Sequence, residues 1–147
     1  MESGDPDEPA SAAVAPPLPH PLRVVVVDDS VAYGLLISAW FAEDAEIEVV
    51  ATLRSELEAL QRLAAERPDA VMLDHLLPGE EHSRRVIAHV RAELPDAAVI
   101  LISGMPVDHL AAAATTAGAD HHVSKAANAQ AIRQAIRTGV ARHGPGR

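Results

Sequence analysis

The chain has 147 residues, 48% of them hydrophobic, with no cysteine and a formal net charge of -9. That is the size of one domain with one core, and the absence of cysteine excludes disulfides and thiolate metal sites. The acidity argues against binding a nucleic-acid backbone, which needs Lys and Arg clusters, and three aromatic residues (Tyr33, Trp40, Phe41) offer little base stacking. With no long apolar run and no signal peptide, a soluble, cytoplasmic protein with no membrane or nucleic-acid partner is expected.

Residues 1–21 (MESGDPDEPASAAVAPPLPHP) are rich in Pro, Ala and acids and lack apolar periodicity, so they read as a disordered leader. From Leu22 strand and helix signals alternate, the pattern of a parallel sheet covered on both faces. Residues 22–27 (LRVVVV) form the first strand, ending at Asp28-Asp29. Ser30 caps a helix to about Glu43, with Leu36, Ile37 and Trp40 at helical spacing. Residues 47–53 are a weaker strand. Ser55 and Glu58 make a capping-box pattern for a helix with Leu57, Leu60 and Leu63 as its apolar stripe, ended by Pro68-Asp69.

The third strand, residues 70–73 (AVML), leads into Asp74, and a helix from His82 to about Leu94 buries Val86, Ile87 and Val90. Residues 98–102 (AVILI) run into Ser103, and an alanine-rich helix over 107–117 closes on Gly118. A short strand over 121–123 leads to Ser124-Lys125, and the last helix spans 128 to about 142, leaving 143–147 as a short flexible tail. The expected fold is a doubly wound, five-stranded parallel α/β sandwich of flavodoxin-like type over residues 22–142.

Ligands of such sheets bind beyond the carboxyl ends of the strands, near the point where strand order reverses. Asp28-Asp29, Asp74, Ser103 and Lys125 all lie at such ends. Taken singly, the acids read as turn residues, Ser103 as a helix cap and Lys125 as a solvated lysine; their joint placement points to a site. Three crowded carboxylates require a cation, and oxygen ligands of this kind suit Mg²⁺. Asp74 can then act as an oxygen nucleophile toward a phosphoryl donor, with the metal, Lys125 and the Ser103 hydroxyl neutralising the transferred oxygens.

These residues resemble the receiver domain of two-component response regulators, the CheY-like superfamily. The family pattern of an acidic pair, an acceptor Asp, a Ser or Thr and a Lys falls on Asp28-Asp29, Asp74, Ser103 and Lys125. The spacings of 45, 29 and 22 residues from Asp29 through to Lys125 are close to those of the family. DAVMLDHLLPG, with Pro78 four residues after Asp74, looks like the acceptor loop, and AGAD over 117–120 like the approach to the fifth strand. The resemblance implies that Asp29, Asp74 and the backbone carbonyl of Leu76 bind Mg²⁺, with Asp28 acting directly or through water, and that Ser103 and Lys125 hold the phosphoryl oxygens. It also implies a phosphohistidine donor on a sensor histidine kinase or histidine phosphotransfer protein. Output would then run through a downstream protein on the face of the fourth helix, fifth strand and last helix. Such a receiver catalyses only its own phosphorylation and dephosphorylation.

The sequence departs from the pattern at His122, where the family has an aromatic switch residue, and at Ala126, which replaces a proline, so a trans bond there is expected. Gly104 adds backbone freedom after Ser103, and Leu76 and Met105 stand where they would flank the path of hydrolytic water. The few residues after Arg142 are too short for a DNA-binding domain, which favours a stand-alone receiver. A phosphorylation-independent binding module is the alternative. A flavin protein would want a Gly/Ser/Thr-rich loop where Asp28-Asp29 stand, and a dehalogenase-type phosphatase would want its acids one residue apart.

Overall fold

The computed structural model describes residues 20–79 and 83–144. Residues 1–19 of the leader, the His82 start of the third helix and residues 145–147 of the tail lie outside the described residues. Strands β1 (Leu22–Val27), β2 (Ile47–Leu53), β3 (Ala70–Asp74), β4 (Ala98–Ser103) and β5 (His121–Ser124) alternate with helices α1 (Val31–Trp40), α2 (Glu56–Glu66), α3 (Arg84–Glu93), α4 (Val107–Ala117) and α5 (Ala129–His143). All strand pairings are parallel, in the order β2-β1-β3-β4-β5.

The unbroken apolar runs of β1, β3 and β4 follow from burial on both faces. Alternate residues split between two cores. Val25, Val27, Val71, Leu73, Val99 and Leu101 face Leu63, Val86, Val90 and Leu110 of α2, α3 and α4. Val24, Val26, Met72, Ile100 and Ile102 face Ile37, Ile132 and Ile136 of α1 and α5. The order reverses between β1 and β3, so the carboxyl ends of those strands border one crevice.

Helix ends and faces depart in places from the sequence reading. Ser30 caps α1 by accepting from Tyr33 N, but the helix stops at Trp40, short of Glu43. Its inward stripe is Tyr33, Ile37 and Phe41, while Leu36 and Trp40 face solvent. Leu57 is likewise 64% exposed, and Ala59 with Leu63 supplies the buried face of α2. Glu58 N donates to Ser55 Oγ at 3.0 Å, whereas Glu58 Oε1 accepts from Arg54 N, one residue before the cap. The packed domain also extends beyond Arg142: His143 closes α5 and is buried, its Nδ1 3.1 Å from Asp120 Oδ1 and its Nε2 2.6 Å from the Pro95 carbonyl. That residue is no part of a flexible tail.

Candidate functional site

Three acids meet at the strand-order reversal. Asp28 and Asp29 follow β1 and Asp74 ends β3, and one carboxylate oxygen from each lies within 4.8 Å of the others. Asp28 and Asp74 are buried and Asp29 is exposed, so the cluster opens to solvent on one side. Asp28 Oδ1 accepts from Ser30 N at 2.8 Å, fixing the turn into α1. Asp74 Oδ1 accepts from Leu76 N at 3.1 Å, and His75 N donates to the Ile102 carbonyl at 2.8 Å, which ties the acceptor loop to β4.

Lys125 reaches into this cluster. Its Nζ lies 2.6 Å from Asp28 Oδ2 and 3.6 Å from Asp74 Oδ2. Asp28 Oδ2 makes no directed hydrogen bond there, so the contact is chiefly one of charge. The lysine is placed by its own backbone, since Lys125 N donates to the Ser103 carbonyl at 3.0 Å and joins the ends of β4 and β5. Ser103 is buried and its Oγ accepts from Met105 N at 3.1 Å; Pro106, not Ser103, occupies the cap position of α4.

Burial, followed by the neighbouring Asp28 charge, pushes the Asp74 carboxyl above its ordinary value, and Lys125 and the Leu76 amide only partly offset this. Beneath the cluster is Tyr33, a residue that the sequence reading counted only as one of few aromatics. Its ring centroid is 5.2 Å from Lys125 Nζ, within cation–π range. Burial first, then the Asp28 and Asp74 charges, raises the Tyr33 hydroxyl pKa, and that hydroxyl has no hydrogen-bond partner among the described residues. The signal for it was positional: the third residue of a helix that begins just after the acidic pair turns back under the pair.

The donor set fits a hard divalent cation. Ligand oxygens about 2.1 Å from an octahedral Mg²⁺ stand about 3.0 Å apart when adjacent and about 4.2 Å apart when opposite. A spread of up to 4.8 Å needs only a small closing movement, and one lysine leaves three carboxylates in excess of local positive charge.

The other positions fall around this centre. Leu76 is 51% exposed at the rim, while Met105 is half-buried and packs against the α2–α3–α4 core. His122 is half-buried on β5, its ring 5.2 Å from that of His121. There is no cis peptide bond among the described residues, in line with the trans bond expected at Ala126, whose amide donates to Ser124 Oγ. His75 lines a separate cavity between α3 and α4.

The profile of the response regulator receiver domain matches residues 24–137. The chain belongs to that family. It is 25% identical to a two-component response regulator of the LuxR family from Aurantimonas sp. SI85-9A1, with a TM-score of 0.72, covering 82% of this chain and 86% of that one. It also matches, at 27% identity and a TM-score of 0.69, the crystal structure of the P1 domain of CheA3 in complex with CheY6 from R. sphaeroides, covering 83% of this receiver chain and 98% of that chain. Among curated sequences it is 36% identical over 113 residues to a protein-glutamate methylesterase/protein-glutamine glutaminase of Nocardioides sp., covering 76% of this chain and 31% of that protein. A similar enzyme of the group 2 operon of Bradyrhizobium diazoefficiens is 39% identical over 83 residues, 56% of this chain and 21% of the relative. The receiver chain thus spans only a minor part of these curated relatives. Its fold is the CheY-like α/β sandwich, and its family is that of phosphoryl acceptance in two-component signalling.

Proposed function

We propose that Asp74 is the phosphoryl acceptor of a cytoplasmic receiver, with Mg²⁺ held by Asp28, Asp29, Asp74 and the Leu76 carbonyl. The observation that carries this reading is the Asp74 carboxylate, buried at the strand-order reversal between two further acids and the Lys125 ammonium. Bound Mg²⁺ would neutralise charge on the carboxylates and on the incoming phosphoryl oxygens. A free Asp74 oxygen attacks phosphorus, the P–N bond of a phosphohistidine donor breaks, and the departing imidazole takes up a proton. Lys125 leaves Asp28 to meet a phosphoryl oxygen, and the Ser103 hydroxyl turns from Met105 N to donate to another.

The donor fits a histidine kinase or histidine phosphotransfer protein. Val31, Leu35 and Leu36 of α1 and Leu76 of the acceptor loop are exposed apolar residues on elements that border the acidic crevice, a surface suited to a helical partner. Output passes by protein contact to a downstream protein on the α4–β5–α5 face, with His122 at the relay position.

Intact-mass measurement after treatment with acetyl phosphate and Mg²⁺ tests the acceptor. The wild-type protein gains one phosphoryl group and Asp74→Asn gains none. Equal uptake by the variant rejects Asp74, and no uptake by the wild type favours a phosphorylation-independent module.

A further inference from the structure

A cavity of about 420 Å³ lies between α3 and α4, apart from the acidic cluster. This volume falls within the roughly 300–1,000 Å³ of small-molecule sites. One wall is formed by Ala112, Ala113 and Thr116 of α4, whose short side chains leave the space open. The other is formed by His75, Ser83 and Arg84, from the β3–α3 connection and the start of α3.

That second wall has polar capacity that the protein does not use. Ser83 is 1% exposed and stands at the cap position of α3, yet its side chain makes no capping hydrogen bond. The reason is local: its backbone is helical (φ -83, ψ -8), whereas a capping serine is extended. Among the described residues the first amides of α3 therefore have no side-chain acceptor, at the end of a helix that favours negative charge. Among the described residues, His75 Nδ1 is buried without a partner and Arg84 forms no ion pair. Buried polar groups are normally satisfied, and here an unpartnered imidazole nitrogen belongs to a cavity lining that also holds a serine making no capping bond and the exposed guanidinium of Arg84.

We propose that this cavity binds a small organic carboxylate with an apolar body. The carboxylate accepts from Arg84, from Ser83 Oγ and from His75 Nδ1 in its N–H tautomer, and the apolar body lies against the methyl groups of α4. A neutral ligand would leave Arg84 unused, and a large or highly charged one would not match the alanine wall.

Metal-free ¹⁵N-labelled protein titrated with 4-phenylbutyrate provides the test. Amide shifts centred on Ser83, Ala112, Ala113 and Thr116 are expected, with a Kd on the order of 1 mM, as befits about a dozen heavy atoms. The uncharged 4-phenylbutyramide should bind about tenfold more weakly. Ala112→Phe, at an exposed helical position, should abolish binding while preserving the rest of the spectrum. Arg84→Gln should weaken the acid and leave the amide unchanged. Shifts centred elsewhere, equal binding of acid and amide, or no shift at about 10 mM ligand would each overturn the proposal.

Discussion

Asp28 divides its oxygens between architecture and charge, Oδ1 holding the turn into α1 and Oδ2 facing Lys125. Asp74 has no such close counter-ion, and its raised pKa means that the folded, metal-free protein binds its proton more tightly than the unfolded chain does. The contribution of Asp74 to the stability of the metal-free protein should therefore fall as pH rises through the unfolded carboxylate range near about 3.9 to the higher native value, and level off above it. Asp74→Asn removes that loss, so urea melts should show the variant more stable than wild type at pH 7, with a smaller gap at pH 4. Tyr33 offers a second check, because its hydroxyl is buried without a partner among the described residues while its ring supports Lys125. Tyr33→Phe should keep or raise stability, by up to about 1 kcal/mol, and retain phosphoryl uptake, whereas Tyr33→Ala should lose both in the same assays. The acids and Lys125 were legible in the sequence because strand ends fix their positions. The Lys125–Asp28 pairing and the place of Tyr33 were not, since both depend on how neighbouring strands set side chains across the crevice.

Strands were easier to read than helix faces. Continuous apolar runs mark β1, β3 and β4 whichever way each side chain points, but α1 carries apolar residues almost all round, so Leu36 and Trp40 could not be told from Ile37 by spacing alone. The sheet decides which stripe is buried. Its packing also gives opposite meanings to two glycines. A Cβ on Gly139 would stand 2.8 Å from Ile100 Cγ1, because α5 lies close over β4. Gly139→Ala should cost about 1–3 kcal/mol in a denaturant melt. Gly104 has open space around it and no positive φ, so Gly104→Ala should stabilise by about 0.4–1 kcal/mol in the same measurement.

For the molecule as a whole, the acid cluster links folding to cation binding. At a concentration about a hundred times its Kd, Mg²⁺ should raise wild-type stability by about 2.7 kcal/mol, read as an upward shift in Tm. Removing it with a chelator should reverse the shift, and Asp29→Asn should reduce it. The five alternating strands and the spacing of the residues at their ends could be read from the chain, but the order of the strands in the sheet and the burial of His143 could not, because strand neighbours and its partners Asp120 and Pro95 are remote in sequence.

Those distant attachments also give the α4–β5–α5 face a mechanical asymmetry. Helix α5 is fastened to the loop before β2 by Arg133 with Asp44 and by Arg137 with Glu46, and at its far end by His143. Helix α4 follows directly from the Ser103 loop, begins at a proline with no side-chain cap, and makes no ion pair among the described residues. If Ser103 takes up a phosphoryl oxygen as proposed, the disturbance would reach a helix without ion pairs or a side-chain cap on one side and an ion-paired helix on the other, so a partner on this face would register movement of α4 relative to α5.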